Sequence, residues 1–209
     1  VGPMGLPEQR GREGISVDMA GFLHLLPYVA SALITLAVAS FAWQRRDNPG
    51  ALPFAGLGLA MTAWTVLAAV EVATTGLSAK VALDALQWLP SLALPYLVLD
   101  SAVQVATGRR SVIPRGLTLT HVGVMLALAL FLATEPLHGL AYPDATVVAG
   151  QPFSSLRYDY SAPIMVFSLY ALTVGLAGVG TLIVHLFRHR GMYRGHAVLM
   201  LLGVAIPIG

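Results

Sequence analysis

The chain has 209 residues and a mass of 22.0 kDa; 56% of it is hydrophobic and its mean hydropathy is +0.75. Only 11% of residues are charged and the formal net charge is +2, against roughly 25% charged residues in a soluble domain, which excludes a disordered chain and argues against an ordinary soluble enzyme. Cysteine is absent, which removes disulfides, thiolate metal sites and thiol nucleophiles.

Residues 1–18 are polar and rich in glycine and proline, so they read as a flexible N-terminal extension ahead of a domain spanning 19–209. A cleaved signal peptide does not fit, because the apolar run that follows is too long and no small-residue cleavage site ends it. From Met19 onward, apolar runs of about 20 residues recur, the length needed to cross ~30 Å of hydrocarbon. Six are expected, at about 19–43, 51–75, 80–107, 117–133, 161–187 and 195–209. The fold class is therefore all-α, a polytopic transmembrane helix bundle. Asp47, Pro49 and Gly50 supply turn chemistry between the first two spans. Pro90 and Pro95 predict a kink in the third. A long connection, about 135–160, separates the fourth and fifth. In the fifth, Ala171 and Gly175 form a small-xxx-small face for close helix approach. The sixth run stops at Gly209, a few residues short of a full span, so the chain reads as a fragment with a seventh span to follow.

Arginine placement predicts orientation. Arg45 and Arg46, then Arg109, Arg110 and Arg115, then Arg188, Arg190 and Arg194 fall in alternate breaks and therefore on one side, which should be cytoplasmic. The opposite side has Lys80, the single lysine, with Arg157 and the tail arginines. The N-terminus is thus expected outside.

Carboxylates within spans are costly, by roughly 2.5–3.5 kcal/mol on insertion scales, so each needs a partner or a wet site. Asp84 lies four residues after Lys80, which predicts an i,i+4 ion pair at the interface. Glu71, near the outer end of span two, matches the depth of His24 in span one, and the two are expected to touch. Asp100 and His121 sit at similar depths, ~9–12 Å from the inner ends of spans three and four. They are expected to pair as a proton-sensitive structural switch, with a snorkelling Arg110 or Arg115 as the competing partner for Asp100. Glu71, Gln87, Trp88, Ser91, Glu135, His138, Tyr158 and Tyr160 form the candidate ligand-binding pocket at the outer end, with the long connection as its cover. Helix capping and headgroup contacts are the plainer reading of the same groups. His24, His138 and Glu135 are residue types that suit zinc, but no close H-x-x-x-H or H-E-x-x-H spacing supports a site. No phosphate-binding loop or G-x-S-x-G is present, and no late-span lysine suits a retinal Schiff base. No catalytic residue, metal or cofactor is expected.

Four stretches, in order, carry a family resemblance: NPGALPFAGLGLAMTAWTVLAAVE at 48–71, LPYLVLDSAVQVATGRR at 94–110, ATEPLHGL at 133–140 and YRGHAVLMLLGVAIP at 193–207. Together they resemble the N-terminal seven-transmembrane sensor domain of membrane histidine kinases. Val105 and Ala106 depart from the family's Tyr-Thr-Gly-Arg motif, Glu135 replaces an Asn and His196 a Gln. Asp100 stands where the family has an apolar or aromatic residue, so no role carries over to it. The resemblance implies a non-catalytic input domain for an extracellular or membrane-borne signal, ahead of a cytoplasmic PAS or kinase module absent from this chain. Its implied partners are the lipid bilayer, a small-molecule or membrane signal and a second copy in a homodimer; no nucleic acid is expected. The rival readings are a small transporter or channel, which would need a continuous polar path, and a histidine-ligated cofactor-binding membrane protein, which an absorption spectrum would reveal.

Overall fold

The structure is a computed structural model and describes residues 19–110 and 112–188. Its elements are α1 (Met19–Gln44), α2 (Ala51–Ala73), α3 (Leu77–Thr107), α4 (Arg115–Ala133), the single turn α5 (Glu135–His138), strands β1 (Thr146–Val148) and β2 (Ser155–Arg157), and α6 (Ala162–Arg188). Five helices among the described residues are long and apolar enough to cross a membrane. The expected sixth span at 195–209 and the extension at 1–18 lie outside the described residues, as do His189, His196, Arg190 and Arg194.

Large apolar side chains lie outward along these helices: Phe22, Leu33 and Phe41 on α1, Leu119, Leu126 and Leu130 on α4, Val166 and Leu176 on α6 are all exposed. Apolar surface on this scale needs a solvent other than water. Lipid supplies it, because a helix satisfies its own backbone hydrogen bonds. The protein is a multi-pass membrane protein.

Side-chain register fixes how the helices run. Gly58 approaches Ala39, and Thr62 meets Thr35 with the hydroxyls 2.8 Å apart, so α1 and α2 are antiparallel. A Cβ added at Gly58 would lie 2.9 Å from that of Ala39, so the small residue sets the spacing of the pair. Gly56 lies against Leu97 and Gly50 against Ser101, which makes α2 and α3 antiparallel. Gly175 meets Pro95 and Gly178 meets Leu99, so α6 runs parallel to α3. The closest approach is at Gly178, where a Cβ would be 3.0 Å from the Leu99 backbone; Ala171 instead packs against the apolar core. The central helix is α3, with α2, α4 and α6 around it. It continues as α-helix through Pro90 and Pro95.

Two unlike ends result. At the arginine end lie the α1–α2 turn with Arg45 and Arg46, the end of α3 with Arg109 and Arg110, and the start of α4 at Arg115. At the opposite end the 139–161 connection folds back over the bundle. The long connection expected there contains an unforeseen two-stranded antiparallel hairpin, pairing Thr146 with Arg157 and Val148 with Ser155. The strands are three residues each, too short for alternation to stand out in the sequence. Under this hairpin sits the main apolar core: Leu92 of α3, Leu128 and Leu132 of α4, Ile164 of α6, and Ala141 and Tyr142 of the connection.

Candidate functional site

At the hairpin end, α2 stops at Ala73 because Thr74 turns extended, with φ −85° and ψ 145°. Helix α3 restarts three residues later behind Gly76. This tight return brings Lys80 back against the last turn of α2. The Lys80 side chain is fully buried. Its ammonium donates to the Glu71 carbonyl at 2.8 Å and to the Ser154 carbonyl at 2.9 Å, and lies 3.8 Å from the Glu71 carboxylate. One cation thereby ties α2, α3 and the connection together. Burial of an ammonium is tolerated only with such oxygen partners. The expected Lys80–Asp84 pair does not form. The i,i+4 spacing brings two residues to one helix face, but here the ammonium turns toward carbonyls that the sequence places far away.

Gln87 is buried and donates to the other Glu71 carboxylate oxygen over a long 3.4 Å. Ser91 donates to the Gln87 carbonyl at 2.7 Å. Asp84 accepts from the Tyr158 hydroxyl at 2.9 Å. Tyr158 stands edge to face with Tyr142 (centroids 4.9 Å apart) and with Tyr160 (5.7 Å). Burial first, and the Asp84 carboxylate second, push the Tyr142 and Tyr158 phenols well above their ordinary pKa. A cleft of about 330 Å³ opens here, lined by Glu71, Asp84, Leu156, Arg157, Tyr158 and Tyr160. The Tyr142 hydroxyl and the Ser154 hydroxyl are buried and have no hydrogen-bond partner.

A second polar cluster lies in mid-bundle. His121 Nδ1 is 3.0 Å from the Tyr170 hydroxyl, the His121 ring stacks on Tyr96 at 4.3 Å, and the Tyr96 hydroxyl meets Thr118 at 2.8 Å. A third lies near the arginine end. The Gln104 side-chain oxygen accepts from the Gly50 N–H at 3.0 Å, Ser101 donates to the Gly50 carbonyl at 3.1 Å, and Gln104 donates to Asp100 at 2.9 Å. Gly50 has φ +82°, and a Cβ there would lie 2.6 Å from Val105, so only glycine suits the position.

A family model described as the N-terminal 7TM region of histidine kinase matches residues 27–209. The chain belongs to this family. Searches of curated proteins and of solved structures found no match. As the N-terminal 7TM region of a histidine kinase, the chain is a membrane sensory input region and not the catalytic part of the kinase.

The histidine kinase region gathers some of the expected site residues and separates others. Glu71, Tyr158 and Tyr160 line the cleft. Gln87 and Ser91 extend its polar wall inward along α3, and Trp88 packs against the apolar core beside it. Glu135 and His138 are outside the lining. The Glu135 carboxylate accepts from the Ala141 and Tyr142 N–H groups at 2.7 and 3.2 Å and so shapes the start of the connection. His138 donates from Nε2 to the Phe131 carbonyl (3.0 Å) and accepts the Leu140 N–H at Nδ1 (3.0 Å). That leaves Nδ1 no proton for Glu135, 3.3 Å away, so the two form a contact rather than an ion pair.

Two expected pairings are replaced by others. Glu71 takes Lys80 and Gln87, whereas His24 is exposed and stands edge-on to Phe153 of the connection, centroids 5.7 Å apart. Asp100 takes Gln104, and His121 takes Tyr170 and Tyr96. Matched depth in a helical hairpin fixes height along the axis and leaves the direction around it free. With His24 on Phe153 and His138 on Phe131, the zinc-type residues are not gathered, and no group of three ligating side chains occurs among the described residues. The site residues missed by sequence reasoning are Lys80, Asp84, Tyr142 and Arg157. The usable signal was composition: one lysine in a chain of arginines, and tyrosines concentrated in one connection.

Proposed function

We propose that the hairpin end is where this region reads its signal, and that it faces outward while the arginine end faces the cytoplasm. The placement of basic residues supports the orientation. The observation that carries the sensory reading is the buried Lys80 ammonium, which holds two helices and the covering connection through three oxygens. A ligand that displaces or tightens this cap would bind one arrangement of α2 and α3 better than another and so shift a two-state bundle. Helix α3 carries Lys80 and Gln87 near its start and runs on as one helix to Thr107 at the arginine end, and α6 lies parallel to it. Movement there would be passed to a PAS or kinase module of the full-length protein, acting as a homodimer. The domain over 19–209 is the unit that does this.

The test uses full-length kinase in proteoliposomes. These 209 residues hold no cysteine, so once any cysteine elsewhere in the full-length kinase is replaced by serine, single cysteines at Ser155 and at Asp47 can be labelled from outside with a membrane-impermeant maleimide. Ser155 should react and Asp47 should not. Glu71→Gln and Gln87→Ala should change autophosphorylation without loss of expression. Unchanged output in both, or the reverse labelling pattern, would overturn the reading.

A further inference from the structure

Asp84 and Arg157 line one cleft with opposite charges, and neither has an ion-pair partner among the described residues. The other lining carboxylate differs, because Glu71 has Lys80 behind it at 3.8 Å and Gln87 at 3.4 Å. Glu71 and Lys80 offset each other, which leaves one negative and one positive group facing the open space. Asp84 makes a single hydrogen bond, to the Tyr158 hydroxyl, where a carboxylate has room for about four. Behind it, outside the cleft lining, the buried Tyr142 hydroxyl makes no hydrogen bond of good geometry and has the Asp84 carboxylate as a polar neighbour. The Tyr158 and Tyr160 rings complete the surroundings. A carboxylate, phenol oxygens and aromatic faces are what an alkylammonium group takes, with its three N–H donors and its attraction to ring faces. Arg157, exposed on β2, offers a planar fork that matches a carboxylate.

We propose that the cleft binds a small zwitterion of the α-amino-acid type, its ammonium on Asp84 and Tyr158 and its carboxylate on Arg157. This rests on the hairpin end being the sensory site and names the chemical class of its signal. A simple anion would meet Asp84 and Glu71 unfavourably. A simple cation would leave Arg157 unused and opposed. A metal ion lacks a ligand set among the described residues. The volume of about 330 Å³ lies at the small end of the ~300–1,000 Å³ range for ligand sites, which suits a molecule of this size.

Full-length kinase in lipid nanodiscs is titrated calorimetrically with the proteinogenic L-amino acids. The tightest binder is then compared with its decarboxylated amine and its deaminated acid. The amino acid should bind best, with the amine and the acid each roughly ten- to a hundredfold weaker for want of one charge-assisted contact. Asp84→Asn should weaken both the amino acid and the amine. Arg157→Gln, at an exposed position that leaves the fold intact, should weaken the amino acid by a similar factor and leave the amine unchanged. If Asp84→Asn fails to fold, the Arg157→Gln result decides. Absence of binding by every amino acid, equal binding of the amine or the acid, or no effect of Arg157→Gln would overturn the proposal. The sensory reading is scored separately: Gln87→Ala changing autophosphorylation while no amino acid binds removes the ligand class alone, and no change in either removes both.

Discussion

At the hairpin end, Lys80 is buried among the oxygens of Glu71 and Ser154; at the arginine end, Gly50 is clamped by the neutral side chains of Gln104 and Ser101. Both clusters join α3 to a neighbouring turn, and both are buried. The clamp is closed: the Gly50 N–H and carbonyl and both ends of the Gln104 amide are hydrogen-bonded, the amide N–H to the Asp100 carboxylate. The hairpin cluster is open, built around a buried ammonium, with the buried Tyr142 and Ser154 hydroxyls unpartnered. A satisfied network holds one geometry, whereas a network with spare hydrogen-bonding capacity has somewhere for a ligand to bind. The difference separates a fixed joint from a responsive one.

The comparison is broken hardest at Lys80. Lys80→Met leaves Glu71 without its cation and the Ser154 carbonyl without a donor, and should destabilise the detergent-solubilised protein by about 3–5 kcal/mol. Thermal or denaturant unfolding measures this, and a loss below about 1 kcal/mol would make the charged cluster no more consequential than a surface pair. Gln104→Leu should cost about 1–3 kcal/mol, the desolvation penalty of the orphaned Gly50 N–H. The same unfolding assay reads it.

Alkaline pH separates the two ends without mutation. Burial and Asp84 raise the Tyr142 and Tyr158 phenols, so the folded state holds these protons more tightly than the unfolded state does. Their stabilising contribution is complete below about pH 10, where free tyrosine is protonated, and is lost as pH rises toward the higher folded values. Unfolding midpoints should fall above pH 10, and Tyr158→Phe should flatten that fall; an unchanged slope would argue against a buried phenol layer. The smallest effect belongs to Arg110, whose pair with Asp47 at 3.2 Å is 52% and 93% exposed at its two side chains. Arg110→Gln should change stability by about 0–1 kcal/mol, less at high salt.

The positions of the five long apolar helices among the described residues were legible because membrane thickness sets apolar run length. The starts of α3 and α4 moved by two or three residues, to Leu77 and Arg115, since charge and turn residues mark a boundary only to within a turn. Glu71, Tyr158 and Tyr160 could be placed near one mouth from depth alone. Their partners could not, because Ser154 reaches Lys80 from 74 positions away and nothing local encodes that contact. The Asp100–His121 and His24–Glu71 expectations failed for a shared reason: equal depth leaves azimuth free, and Gln104, Tyr170 and Lys80 were better turned to meet those groups. The hairpin was hidden because its strands span three residues each.

The most direct measurement sets one hydroxyl against another in the full-length kinase in proteoliposomes. Tyr158→Phe removes the donor to Asp84 at the hairpin end, and Ser101→Ala removes the donor to the Gly50 carbonyl at the arginine end. Autophosphorylation should shift by roughly fivefold or more with Tyr158→Phe, the scale of a typical coupling between sites, and stay near wild type with Ser101→Ala. An equal shift in both, or a shift with Ser101→Ala alone, would contradict a signal-reading hairpin end and a fixed arginine end.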